Sequence, residues 1–191
     1  MPVTLYYDRY ITTADYDAIY WGIEAVGRLL TRLGGLAFSR ERLEGDLSTL
    51  PSGQVDAPGI LDALPAWNGM GLTVVATGRD LGHPGMNYLF GQSSFARGKA
   101  IFSTCRLADN PAAISGLVTH ELGHSFGLVR RDANNYARLS SFAGHCANPC
   151  IMRPANNKQE MLAGIAMMLL KPETSGFCGD CVTVLGNVHV A

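Results

Sequence analysis

The segment His120-Glu-Leu-Gly-His124-Ser-Phe-Gly127 constrains this 191-residue chain more than any other. Asn110-Pro111 stands upstream, an N-cap residue followed by one suited to the first helical position, so the spacing predicts a helix from about Pro111 to Phe126. Residues four apart on a helix share one face a turn apart. His120 and His124 can therefore direct ring nitrogens at one Zn²⁺, with the carboxylate of Glu121 beside them. Zinc lowers the pKa of its water to about 7, so a neighbouring carboxylate can accept a proton and later return it to a leaving amine. Without a metal, the same pentad reads as two helical histidines and a solvated glutamate.

Gly127 lets the chain leave the helix by a left-handed turn, and such a return can carry a third ligand back. Three residues on stands Arg130, whose guanidinium stays protonated and cannot coordinate zinc. Two candidates remain. Asp132 is close in sequence, and carboxylates bind catalytic zinc. His145 lies 18 positions after Gly127, beyond a polar stretch containing Asn134-Asn135 and Ser140-Ser141. His145 is preferred because Cys146 follows it directly. Cys146 and Cys150 form one close pair, Cys178 and Cys181 another, and two such pairs suit a tetrahedral Cys₄ zinc site. Two disulfides or four buried thiols are the alternatives. Cys105, after an apolar run, reads as a small core residue.

Composition narrows the function classes. With 15 Lys+Arg against 16 Asp+Glu, the net charge of −1 offers no basic excess for nucleic acid. An apolar content of 47% supports a packed core, and the longest apolar run, near Met161–Leu170, is too short to span a bilayer. Met1–Tyr10 carries charges and tyrosines and no apolar signal core, and no separate pro-segment is expected. The expectation is a cytoplasmic protein whose clustered cysteines are metal ligands.

The remaining elements read as a strand at Val3–Tyr7, a helix at Asp15–Leu33 stopped by Gly34-Gly35, and a short strand at Leu36–Phe38. A short helix at Ala57–Leu64 and strands at Leu72–Thr77, Met86–Gln92 and Lys99–Thr104 follow. Gly78–Gly85 reads as a loop, and a last helix spans Asn157–Leu170. The order predicts an α+β protein: a twisted mixed sheet with helices packed on it, then an irregular C-terminal part. Met86, Asn87, Tyr88, Leu89 and Phe90, read as an edge strand, could bind an extended peptide by strand addition.

The combined pattern resembles the archaemetzincins, a branch of the metzincin metallopeptidases. Their motif runs H-E-x-x-H-x-x-G-x-x-H-C, then about four residues, Cys-x-Met, and a later Cys-x-x-Cys. This chain supplies His120, Glu121, His124, Gly127, His145, Cys146, Cys150, Met152, Cys178 and Cys181 in that order. Gly78–Gly91 looks like the family's loop and edge-strand segment, and the likeness runs from about Leu72 to Cys181. The chain departs from the family in the insertion before His145 and in a gap between Cys146 and Cys150 one residue shorter. It also has a longer stretch between Met152 and Cys178. The resemblance implies a metzincin-like fold and peptide or protein substrates. It implies two Zn²⁺ per chain, one catalytic on His120, His124 and His145, one structural on Cys146, Cys150, Cys178 and Cys181. Glu121 would be general base and acid, and Met152 the Met-turn residue beneath the metal. Residues 1–127 would form an N-terminal subdomain and 128–191 a C-terminal one. No tyrosine follows Tyr136, so Tyr136, Asn134 or Asn135 are the candidates to assist an oxyanion. The alternative function is a zinc-stabilised peptide-binding or regulatory module with a degenerate active site.

Overall fold

The computed structural model describes residues 1–30, 36–65, 71–94, 98–131, 133–138, 144–155 and 157–186. Its strands are β1 (Pro2–Tyr7), β2 (Ala37–Arg42), β3 (Val55–Asp56), β4 (Leu72–Thr77), β5 (Leu81–Gly82), β6 (Gly91–Ser94) and β7 (Lys99–Ser103). The helices are α1 (Thr13–Leu29), α2 (Ala57–Ala63), α3 (Pro111–Ser125), α4 (Lys158–Leu170) and α5 (Gly179–Gly186).

Five strands form one mixed sheet in the order β2-β1-β4-β7-β6, and β3 pairs with β5 apart from it. β1 runs parallel to β2 and β4, and β4 parallel to β7; only the edge strand β6 is antiparallel. The central strands are apolar along their length because both faces are covered. Val74, Ala76, Ala100 and Phe102 face the main core beneath α1 and α3. Their neighbours Val75 and Ile101 face a second cluster with Ile60 and Leu61 of α2 and with Leu81. That division is the two-residue alternation of a strand read directly from the packing.

α1 begins at a capping box, in which Thr12 and Asp15 satisfy each other's backbone N–H groups. The sequence expectation placed its start at Asp15; the cap lies three residues earlier. The expected Gly34-Gly35 stop lies outside the described residues. α3 is buried almost all round, as a helix between a sheet and two other helices must be. The main core continues without a break from β1 to Phe177, Cys181 and Leu185, so α5 packs into the same core as the sheet. Among the described residues, no helix is long and apolar enough to cross a membrane.

Four expectations need correction. Met86–Phe90 is not a strand. Pro84-Gly85 forms a turn in which the Met86 N–H donates to the His83 carbonyl at 3.0 Å, with Gly85 at φ 84°. Leu89 makes an isolated bridge to Leu81, and regular edge pairing starts at Gly91. The loop Gly78–Gly85 contains the short strand β5. Cys105 is exposed, because the chain turns into a short 3₁₀ segment (Cys105–Leu107) where β7 ends, and Leu107 takes the buried position. The sequence reading also ended its helices at Leu170, whereas α5 follows.

Candidate active site

α3 is fixed at both ends by local chemistry. Asn110 Oδ1 accepts the Ala113 N–H at 3.0 Å. At the other end Gly127 adopts φ 66° and its N–H donates to the His124 carbonyl at 2.9 Å. The Leu128 N–H donates to the Gly123 carbonyl at 3.2 Å. These two bonds form a Schellman motif, with the buried Leu128 as its apolar contact. The helix thus stops one residue after His124, and the chain turns back beside it.

The long segment between Gly127 and His145 still delivers the third histidine. Its two arms pair antiparallel: Ala137 N–H donates to the His145 carbonyl at 2.8 Å, and Ala147 N–H to the Asn135 carbonyl at 2.7 Å. A bridge between Tyr136 and Cys146 lies between these bonds. The insertion closes on itself, so its length does not displace His145. Cys146 N–H in turn donates to the Met152 carbonyl at 2.8 Å. Met152 is fully buried, and a Cβ at position 123 would collide with its sulfur. Gly123 therefore allows Met152 to seat against the histidine helix.

His120, His124 and His145 each offer a ring nitrogen within 4.8 Å of the others. His120 is buried, and its Nδ1–H donates to the Ile151 carbonyl at 2.8 Å, leaving Nε2 as an unprotonated acceptor. This Nε2 stands 2.9 Å from Nε2 of His124. Two lone pairs so close repel unless a proton or cation lies between them, and three imidazoles around a point are a zinc donor set. Burial and the neighbouring His145 lower the pKa of His120 to about 4, and burial pushes His124 well down. Both rings are thus held in the neutral, ligating form.

Glu121 is buried, and burial raises its pKa to about 7, opposed by a hydrogen bond donated from the Ser93 hydroxyl. Ser93, on β6, was not among the sequence candidates. Its only sequence signal was its place on an edge strand, and the register that brings it to α3 is non-local. The histidines and Glu121 line a cavity of about 910 Å³ whose other wall is the 86–93 segment. All five candidate substrate-binding residues, Met86, Asn87, Tyr88, Leu89 and Phe90, line it. They do so as an irregular strip pinned by side chains. Gln54 Nε2 donates to the Asn87 carbonyl at 2.8 Å and to Asp80 Oδ2 at 3.0 Å. Asp80 receives Arg106 in a two-pronged pair at 2.7 and 2.8 Å, which holds its carboxyl below the usual range. The Arg106 guanidinium lies 3.9 Å from the Tyr88 ring centre. Asn134, Asn135 and Tyr136 are not among the cavity-lining residues. Asp132 lies outside the described residues.

Cys146, Cys150, Cys178 and Cys181 are buried and form a second group within 4.8 Å. All four are free thiols, as a metal site requires. Cys146 and Cys178 sulfurs are 3.7 Å apart, as are those of Cys150 and Cys181. Four sulfurs bound tetrahedrally at 2.3 Å to zinc stand about 3.8 Å apart. Asn135 Nδ2 donates to Cys146 Sγ at 3.2 Å and Cys181 Sγ at 3.3 Å, and the Cys178 N–H to Cys150 Sγ at 3.3 Å. Those donors favour thiolates. Crowding sets the thiols against each other: hydrogen bonds from its neighbours lower Cys146, and Cys150 and Cys181 are pushed up. A dication among them removes that conflict.

No family model matches the chain. A stretch of 117 residues is 31% identical to the archaemetzincin of Archaeoglobus fulgidus, covering 59% of this chain and 58% of that protein. A stretch of 140 residues is 31% identical to the archaemetzincin of Methanopyrus kandleri, covering 70% of this chain and 66% of that one. The chain thus spans less than two thirds of the length of either relative. In three dimensions it is similar to the A. fulgidus archaemetzincin solved with malonate, at a TM-score of 0.67 and 21% identity over 96% of this chain and 99% of that one. The M. kandleri structure gives 0.68 and 22%, covering 98% and 94%. A zinc-dependent peptidase from Methanocorpusculum labreanum gives 0.66 and 20%, covering 96% and 99%. The fold, the converging histidines and cysteines and these likenesses agree: the chain belongs to the archaemetzincin family.

Proposed function

We propose that this protein is a zinc-dependent metallopeptidase that hydrolyses peptide bonds in peptide or protein substrates. The observation that carries the reading is the convergence of three histidine nitrogens beside a buried carboxylate in one cleft. His120, His124 and His145 would hold the catalytic zinc. When bound, zinc polarises the scissile carbonyl and acidifies water at the site. Glu121 accepts the proton of the attacking water and returns it to the leaving amine. Ser93 orients the Glu121 carboxylate, and Met152 supports the histidine helix from below. The substrate lies against residues 86–90, which offer main-chain groups and the Tyr88 and Phe90 rings.

A second, structural zinc on Cys146, Cys150, Cys178 and Cys181 brings the count to two per chain. Because His145 and Cys146 are adjacent, holding the thiolates also holds the third histidine. Residues 1–127 would form one subdomain and 128–191 the other, sharing the single core that joins the sheet to Leu185. Thiols that must stay reduced to bind zinc support a cytoplasmic location.

The test is hydrolysis of a fluorogenic peptide library by the zinc-loaded protein and its Glu121→Gln variant. The reading predicts cleavage by the parent and a loss of at least about a hundredfold in the variant, the usual scale for general acid–base catalysis. Equal rates contradict it. Peptide binding without cleavage by the parent would instead favour a zinc-stabilised peptide-binding module.

A further inference from the structure

The cleft has an uneven charge distribution that the peptidase reading does not use. Three charged side chains line it among the described residues: Glu121, Arg130 and Arg131. Glu121 sits buried at the histidines, whereas both arginines are exposed on the wall formed as the chain turns back from α3. Their position is fixed by structure already described. The Schellman turn brings Leu128 and Val129 back beside the helix, where both are buried. A Cβ on Gly144 would lie 3.1 Å from His124 Nδ1 and 3.8 Å from the Val129 carbonyl oxygen. The chain immediately before the arginines is therefore packed against the histidine site. The Ala133 N–H donates to the Arg130 carbonyl at 3.0 Å, a turn that begins at Arg130 on the same wall. Opposite stands the 86–93 segment, which supplies aromatic, amide and hydroxyl groups and no formal charge. A chain lying along 86–93 therefore shares one cleft with both the histidines and the two arginines.

We propose that Arg130 and Arg131 form a carboxylate-binding subsite, so that this protein selects peptides with an acidic side chain, or a terminal carboxylate, close to the scissile bond. This inference rests on the peptidase reading of the same cleft. A guanidinium presents a planar fork of donors that matches a carboxylate, and a cleft wall screens that pairing less than open solvent does. The same position rejects a basic side chain by like-charge repulsion, so selectivity arises from both signs of the interaction. Arg131 is the position substituted, since its side chain is exposed on the cleft wall.

The test uses the zinc-loaded full chain and peptide sets in which one position, on either side of the scissile bond, is Glu, Gln or Lys, with free and amidated C-termini. A preference at a side-chain position identifies an acidic residue as the ligand; a preference for the free terminus identifies a terminal carboxylate. The expected result is a kcat/KM for the carboxylate peptide about tenfold above its neutral partner, the scale of one charge-assisted contact. Raising the salt should narrow that ratio. Arg131→Gln should bring it towards one, and Arg131→Glu should turn the preference towards Lys. Cleavage of all sets with equal efficiency would overturn the subsite and leave the peptidase reading intact. No cleavage of any set would overturn the peptidase reading. The subsite is then judged by fluorescence anisotropy of the same peptides on zinc-loaded Glu121→Gln protein. Tighter binding of the carboxylate peptide there, abolished by adding Arg131→Glu, would uphold it; equal affinities would overturn it.

Discussion

At the scale of single residues, the site depends on burying ionisable groups at the wall of the cleft. Glu121 is the clearest case. Its pKa in the folded, metal-free protein is raised to about 7 from an ordinary 4.5, with burial as the cause. A carboxyl raised in this way contributes stability that is fully present below pH 4.5. That stability is lost as pH rises through 7, because the unfolded chain then ionises more readily than the folded one. The 2.5-unit difference corresponds to roughly 3 kcal/mol. In metal-free protein, Glu121→Gln should therefore gain stability relative to the parent between pH 5 and pH 8, approaching that figure, as measured by urea denaturation at each pH. A difference that does not change with pH would contradict the burial of an ionising Glu121. His120 acts with the opposite slope, since its lowered pKa removes stability as pH falls from 6.5 towards 4. The variant comparison separates the two. Residue types were also what the sequence revealed best. His120, Glu121, His124 and Gly127 lie within one helix and its exit, so their geometry follows from helix periodicity alone. Ser93 and Asn135 were not legible in their present roles, because each meets its partner through pairing of segments far apart in sequence.

At the scale of elements, the informative departures are the strip 86–90 and the inserted segment. The sequence reads as a strand at Met86–Gln92, but Pro84-Gly85 forms a turn, and side chains from three other places then take over the role of a ladder. Gln54, Asp80 and Arg106 hold the strip through the Asn87 carbonyl and the Tyr88 ring. If the strip positions substrate, Arg106→Ala should raise KM about three- to tenfold with kcat within about twofold, since binding of the extended chain weakens while Glu121 is untouched. Arg106→Lys should recover part of the loss, because a single ammonium replaces a two-pronged pair. A fall in kcat at constant KM would contradict that role. The insertion before His145 shows the converse. Its length made the third ligand ambiguous in the sequence, yet the antiparallel pairing of 135–137 with 145–147 closes it into a self-contained arm. Loop length alone does not reveal such closure, which is why Asp132 remained an alternative. α5 was missed for a simpler reason: Cys178 and Cys181 read as a knuckle, while Cys181 in fact lies in the helix's first turn.

For the whole molecule, the sheet and its covering helices act as a platform, and α5 packs into the same core. Much of this architecture was legible, because β4 and β7 are apolar on both faces and α1 carries a clear apolar stripe. The pairing order β2-β1-β4-β7-β6 was not, since strand partners lie tens of residues apart and no local signal selects among them. The histidine and cysteine clusters meet at the bond between His145 and Cys146, so a metal held at the cysteines would also fix the geometry at the histidines. That linkage would serve two distinct zinc sites. Zinc anomalous scattering from crystals of the zinc-loaded protein tests this, with zinc content in solution measured for the parent and for the Cys178→Ser/Cys181→Ser variant. Two peaks per chain are expected, one within about 2.1 Å of nitrogens of His120, His124 and His145, the other about 2.3 Å from the four sulfurs, and one zinc retained by the variant. No zinc peak at the three histidines would contradict it.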